Sequence, residues 1–512
     1  MKRRLLFAAA LVVLLTALAV LTGFVGGSGS ASAAYPAPHP TVTDYQFIKA
    51  TTPTEADCAA VARTCFTPQA LRSAYNVAPL YNDGWKGNGI TIAIVDSYGS
   101  DTMAHDLHVF DTAFGLQQMC GEESVTCTAG MPKFSELAVN GSPDTTAQPG
   151  SGTHLEDKSA WALEVALDVE TSHAMAPMAN ILLVHSNNAE TLGVQGFPNM
   201  MKAENYVVSN HLAQVISQSF ASAEDAFGGT ASLQNLRYAF KNAAANGVTV
   251  LGSSGDGGTA NALKSPVAAG GSLIPYPTVV WPASDPLVTG VGGTYFCTDP
   301  TASETQARTT SITTGIGAKC GSATFNAAHA AEVAWTFSGG GFSHVFARPS
   351  YQAGTLPAGS TAIPAASRGV PDIALQASSA TGALVYLSLP PDGTGSNINQ
   401  TGWYDIGGTS LSCPQWAGLV AIADQINKAS HPSESGLGLI NPALYKLAAN
   451  ASTYSSDFFD ISHTATAAVQ NTNQGDPSVP GYPATDGWDP VTGLGTPNAA
   501  ALIPDLVTAA HS

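Results

Sequence analysis

The chain has 512 residues, only 11% of them charged, and 37 Asp and Glu against 19 Lys and Arg set a formal net charge of −18 at pH 7. That balance excludes a nucleic-acid partner, whose phosphates demand clustered Lys and Arg. Sparse basic side chains also keep self-repulsion modest once the carboxylates are protonated, so the composition tolerates acid.

The N-terminus reads as an export signal over residues 1–33. Lys2, Arg3 and Arg4 precede an apolar run from Leu5 to Val20, and Gly27-Ser28-Gly29-Ser30-Ala31-Ser32-Ala33 offers an Ala-x-Ala cleavage site after Ala33 or Ala34. An uncleaved anchor is the alternative. No later segment is apolar for long enough to span a bilayer. The expectation is a secreted, extracellular protein, monomeric and without stable membrane association after signal cleavage. Residues 34–66, rich in Pro, Thr and Ala, read as an extended arm, and 67–512 as the main domain.

Seven cysteines suit an oxidising exterior. Proximity suggests Cys58 with Cys65, Cys120 with Cys127 and Cys297 with Cys320, while the connectivity stays open. Cys413 is left over, either as a small buried apolar residue or as a nucleophile.

From Leu71 onward, strands alternate with helices. Thr91–Asp96, Asn180–Val184, Val215–Ser219 and Thr249–Gly252 are near-continuously apolar, as strands buried on both faces are. Trp161–Glu170, Leu233–Ala245 and Gln415–Gln425 have helical patterning. The fold class is therefore α/β, a mostly parallel central sheet with helices on both faces. Stretches 140–160 and 300–330 read as long surface loops.

Three motifs carry chemistry. Gly408-Thr409-Ser410-Leu411-Ser412-Cys413-Pro414 joins a strand-like run, Gly402–Gly407, to an apolar helix. A serine there has an exposed hydroxyl beside first-turn N–H groups that favour negative charge, with Pro414 tolerated in the first turn. It is either a nucleophile or an ordinary helix cap. Glu164 and Asp168, four apart, share one helix face, and buried there they would share a proton; the alternative is a solvated acidic face. Asp256 follows the strand Gly247–Gly252 in a glycine-rich turn, where it is either a turn former or a group at the crevice beyond the strand's carboxyl end. No His-Gly-Thr helix start accompanies the serine.

Taken together and in order, these motifs resemble the sedolisin (serine-carboxyl peptidase) family, relatives of subtilisin that use glutamate in place of histidine. Further matches are Trp281–Pro286 through Gly292-Gly293-Thr294, Ser338–Ser343, Arg368-Gly369-Val370-Pro371-Asp372 and Gly487–Pro497. The resemblance implies a subtilisin-like fold and protein or peptide substrates. It makes Ser410 the nucleophile, Glu164 its base, Asp168 the group that holds the base, and Asp256 a protonated donor in the oxyanion hole. A carboxylate base works where a histidine would be protonated and idle, so the implied activity is acidic. The resemblance also implies one structural Ca2+, with carboxylate oxygens from Asp460 and Asp489 and main-chain carbonyls from Ile461, Thr485 and Gly487. Thr485 stands where the family has glycine. Asp96 and Phe220 stand where some members have a further glutamate and a tryptophan at the substrate cleft. The family's large N-terminal pro-domain has no room between the signal and Leu71. A Ser-His-Asp hydrolase built on Asp96, and a catalytically silent binding relative, are the competing readings.

Overall fold

The structure, a computed structural model, describes residues 39–40, 45–139, 155–186, 196–263, 272–295, 332–388, 400–461 and 472–512. In chain order its strands are β1 (His39–Pro40), β2 (Tyr45–Lys49), β3 (Thr91–Ser97), β4 (Phe134–Ala138), β5 (Asn180–Ser186), β6 (Val215–Gln218), β7 (Phe220–Ala223), β8 (Thr249–Ser253), β9 (Val280–Trp281), β10 (Thr289–Tyr295), β11 (Val333–Ala334), β12 (Gly341–Phe342), β13 (Gly369–Val370), β14 (Ile373–Gln376), β15 (Ala383–Leu387), β16 (Gly402–Ile406), β17 (Phe458–Phe459) and β18 (Thr496–Pro497). The principal sheet has eight strands, ordered β11-β10-β8-β6-β3-β5-β4, with β14 also on β10. Only the β10–β11 pairing is antiparallel.

Side-chain alternation explains why such apolar strands sit at the centre. In β3, Ile92 and Ile94 enter one core with the helices Leu155–Met175, Thr409–Ser430 and Ala499–Ala510. Ala93 and Val95 enter a second core, with the helices Gly196–Ser209, Thr230–Leu236 and Tyr238–Ala245. A strand with no wet face has no use for polar residues. The expected α/β class, sheet and two-faced helix cover are all present.

Four local expectations are corrected. Leu233–Ala245 is two helices, broken at Arg237, whose guanidinium forks onto Asp285 at 2.6 and 2.9 Å. The Ser410 helix starts at Thr409, so Pro414 is its sixth residue and not in its first turn; the missing N–H removes the amide that would have reached the Ser410 carbonyl. Residues 155–160, read as loop, open the Glu164 helix. The arm is more than an extended tail: β2 pairs antiparallel with β16, and a helix capped by Thr54 spans Glu55–Ala60.

Cys58–Cys65 and Cys120–Cys127 are disulfides, and Cys413 is free and buried. The Cys297–Cys320 pairing, the loop 300–330 and the export signal lie outside the described residues. Tyr35–Ser512 clusters as one unit. Among the described residues no helix is long and apolar enough to cross a membrane.

The Glu164 and Ser410 helices cross closely. Ser172 Oγ donates to the Pro414 carbonyl at 3.1 Å, and a Cβ on Gly418 would stand 2.5 Å from Met175 Cβ. Gly418→Ala is expected to destabilise by about 1–3 kcal/mol through overpacking, outweighing alanine's better helix propensity of about 1 kcal/mol. The readout is a lower urea midpoint at constant m-value. An unchanged midpoint would mean that the two helices have slack between them.

Candidate active site

Strand β16 ends at Ile406, and the chain turns through Gly407 and Gly408 into the Ser410 helix. Gly408 has φ +103°, a conformation that strains any residue with a Cβ, and a Cβ there would lie 2.6 Å from Asp256 Oδ2. Asp256 arrives from the other side, just beyond the carboxyl end of β8. Its Oδ1 accepts from Thr409 N at 2.7 Å and Thr409 Oγ1 at 2.8 Å. Thr409 Oγ1 in turn accepts from Gly255 N at 3.1 Å. Thus the residue before Ser410 is bolted to Asp256, at the crevice where parallel strands end.

With Oδ1 committed as an acceptor, the proton of a neutral Asp256 belongs on Oδ2, which has no hydrogen-bond partner among the described residues. Burial pushes this carboxyl up to about 7, against the opposing Thr409 bonds. At acid pH it is a neutral donor.

Glu164, Asp168 and Ser410 are all fully buried, so the Ser410 hydroxyl is not exposed as its place at a helix start suggested. Asp168 Oδ1 accepts from Ser219 Oγ at 3.0 Å. Burial first, then the charges of Asp96 and Glu164, hold the Asp168 carboxyl well above the usual carboxylate range, opposed by the Ser219 hydroxyl and not by a cation. Ser253 Oγ donates to the Thr409 carbonyl at 3.0 Å and lies 3.5 Å from Ser219 Oγ. The structure therefore links Asp168 to the Ser410 turn through Ser219 and Ser253, and Asp256 to that turn directly. Ser219 and Ser253 are site residues that sequence reasoning missed. Their signal was polarity at the carboxyl ends of otherwise apolar strands.

Other expectations sort themselves out. Asp96 is fully buried, neither of its oxygens has a hydrogen-bond partner among the described residues, and burial lifts it to about 8. No histidine is bonded to it there, which disfavours a Ser-His-Asp arrangement. Cys413 lies 3.5 Å from Ser217 Oγ, and burial pushes its thiol to about 12, the opposite of an activated nucleophile. The ring of Phe220 is fully buried and packs in the second core, 6.1 Å from that of Phe197.

Residues 87–475 match the family model described as "Subtilase family". Kumamolisin of Bacillus sp. (strain MN-32) is 29% identical over 457 residues, 89% of this chain and 66% of its own length. Tripeptidyl-peptidase 1 of Macaca fascicularis is 29% identical over 456 residues, 86% of this chain and 64% of its own. The chain belongs to the sedolisin branch of the subtilase family. The solved Pseudomonas sedolisin, a serine-carboxyl proteinase complexed with pseudo-iodotyrostatin, shares the fold with a TM-score of 0.57 at 24% identity, covering 86% of this chain and 98% of that one. This sedolisin spans just under two thirds of the length of the two curated relatives.

The C-terminal loops of this sedolisin join four of the five expected metal ligands in two pairs. Asp460 Oδ2 accepts from Gly487 N at 2.8 Å, and Asp489 Oδ2 from Thr485 N at 3.2 Å. Asp489 Oδ1 takes the amides of Val491 and Thr492 at 2.8 and 2.9 Å. Asp489 is fully buried, which lifts it to about 7, and after burial the charges of Asp460 and Asp489 raise the Tyr454 hydroxyl. Among the described residues no cluster of three His, Cys, Asp or Glu is arranged for a metal. The donors here are two carboxylates and carbonyls, an oxygen-only set that fits a hard cation such as Ca2+.

The buried acids also set the pH dependence of stability. Asp96, Asp256 and Asp424 keep their protons in the fold to about 8, 7 and 8, whereas an aspartate ordinarily releases its proton near 3.8. Between about pH 4 and about pH 8 the folded chain holds more protons than the unfolded one, so stability falls as pH rises through that window. With a chelator present and Ser410→Ala to prevent self-digestion, the melting temperature is expected to be higher at about pH 4.5 than at about pH 8. Asp96→Asn should flatten the slope. A melting temperature that climbs toward pH 8 would contradict this account.

Proposed function

We propose that this sedolisin is a secreted serine-type peptidase that hydrolyses peptide bonds in acid through an acyl-enzyme. The observation that carries the reading is the paired hydrogen bond from Thr409 to Asp256 Oδ1, which commits that oxygen as an acceptor and assigns the proton to the other. In the proposed reaction Ser410 Oγ attacks the scissile carbonyl while Glu164 takes its proton. Asp168, neutral and hydrogen-bonded, steadies Glu164, and Asp256 Oδ2–H donates to the developing oxyanion. Glu164 then passes its proton to the departing amine, and water repeats the sequence to release the acid. Above about pH 7 Asp256 loses its donor proton, which closes the activity from the alkaline side.

We further infer one structural Ca2+, held by the Asp460 and Asp489 carboxylates with the Ile461, Thr485 and Gly487 carbonyls. It would neutralise two acids that share one loop cluster, and the cost of burying Asp489 supports that role.

Ser410→Ala and Glu164→Ala are each expected to lower kcat by about 10⁴-fold or more on an acid-denatured protein while circular dichroism stays native, because nucleophile and base act as a unit. Asp256→Ala should cost about 10²–10³-fold. Asp256→Asn, whose amide donates at every pH, should retain part of the rate and extend it to higher pH than the wild type. Turnover like the wild type in the Ser410 or Glu164 variant would sink the assignment. For the metal, EDTA at moderately acidic pH should lower the melting temperature of wild type but not of Asp489→Ala, and an equal shift in both would place calcium elsewhere.

A further inference from the structure

Ser219 lies between β6, which ends at Gln218, and β7, which begins at Phe220. The chain leaves the principal sheet for another at this residue, and Ser219 is fully buried there. Strand alternation puts Ser217 and Ser219 on one face, toward the Glu164 and Ser410 helices. Their contacts agree. Ser217 Oγ lies 3.5 Å from Cys413 Sγ, while Ser219 Oγ donates to Asp168 Oδ1 at 3.0 Å. Two equally buried serines, two residues apart, thus have different partners, a thiol and a carboxyl.

The direction of the Ser219 bond follows from its neighbours. Ser253 gives its own proton to the Thr409 carbonyl at 3.0 Å. Ser253 Oγ, at 3.5 Å, is a more distant acceptor for Ser219 than Asp168 Oδ1 is. Once the Glu164–Asp168 pair has lost a proton, a carboxylate oxygen can only accept, and the bond becomes charge-assisted. Asp168 Oδ2 has no hydrogen-bond partner among the described residues. The surrounding charges leave the hydroxyl a large influence in acid. Asp96 on β3 keeps its own proton to about 8, and burial raises the Cys413 thiol of the Ser410 helix to about 12, so neither is charged there. Burial, Asp96 and Glu164 raise the Asp168 carboxyl, and Ser219 lowers it; no Lys, Arg or His is among the groups that act on it.

We propose that Ser219 sets the lower pH limit of the peptidase activity: by donating to Asp168 it stabilises the ionised Glu164–Asp168 pair and keeps Glu164 available as a base in stronger acid. It is a positioning residue, acting through Asp168. The proposal rests on the peptidase reading for the role of Glu164. Activity is lost as pH falls and the pair takes up its second proton. A donor that favours the ionised pair moves that loss to lower pH, and removing the donor moves it back up.

In Ser219→Ala the acid limb of the kcat/KM profile should therefore move up by about one pH unit, so that the variant loses about tenfold more activity on that limb than on its plateau. Ser219→Thr keeps a hydroxyl and should restore the limb. Ser217→Ala removes a buried hydroxyl from the same face and should leave the limb where it is. A second measurement needs no turnover. In Ser410→Ala, infrared titration of the carboxyl band should show one proton released about one pH unit higher when Ser219→Ala is added. That difference should vanish with Asp168→Asn in both chains. If Ser410→Ala cleaves peptide like the wild type, the peptidase reading fails and the infrared titration still decides the part played by Ser219. An acid limb and a carboxyl titration that Ser219→Ala leaves unmoved, or that Ser217→Ala moves equally, would overturn the proposal.

Discussion

The arrangement around Ser410 depends on one electrostatic constraint: carboxyl groups buried against each other without cations. Asp96, Glu164 and Asp168 are all fully buried, and Asp168 is raised by burial and by its two acidic neighbours together. Transferring an ionised carboxylate out of water is costly enough that the group keeps its proton instead. Such a cluster keeps its protons to well above the usual carboxylate range and loses stability as pH rises beyond it. The sparse charge of the whole chain acts in the same direction, since few basic groups are left to repel one another after the acids neutralise.

Geometry then decides what the buried acids can do. The Glu164 helix would be only a source of unfavourable charge if it lay elsewhere on the sheet. The Gly418 contact and the Ser172–Pro414 hydrogen bond fix it against the Ser410 helix, and the hydroxyls of Ser219 and Ser253 span the remaining gap to Thr409. These hydroxyls suit the task because each both donates and accepts without bringing charge. Asp256 differs from Asp168 in having no acidic neighbour among the causes of its shift. It can therefore titrate on its own, near neutrality, as the proposed role of a neutral donor requires.

Much of this was legible in the sequence, for reasons that differ by element. Strands β3, β5, β6 and β8 announced themselves because a strand buried on both faces excludes polar residues. Glu164 and Asp168 stood out because two acids one turn apart among apolar residues have no cheap explanation. The split at Arg237 was invisible, since it follows from a salt bridge to Asp285, 48 residues on. Ser219 and Ser253 were missed because a serine in a strand has many ordinary uses, and only the meeting of β6, β8 and the Ser410 turn gives them this one. The pairing of β1 with β7 was beyond reach: a two-residue contact about 180 positions apart leaves no periodicity to read.

The proposed calcium loop is distant in sequence from Glu164, yet it is not mechanically separate from Ser410. Downstream of Asp489, the Gly495 carbonyl accepts from Ala374 N at 3.0 Å, and the Leu494 amide donates to the Asp372 carbonyl at 2.8 Å. Ala374 lies in β14, and its own carbonyl accepts from Trp416 Nε1 at 3.0 Å. Trp416 is two turns along the helix that begins with Thr409 and Ser410, and it is fully buried. One residue of β14 is thus bonded to the loop on one side and to the Ser410 helix on the other. Asp372 adds stiffness at the same point through a buried ion pair with Arg368 at 2.6 Å. Order in the Asp489 loop is in this way order in the seat of Ser410, so the proposed cation, without meeting a substrate, would bear on how well the proposed nucleophile is aimed.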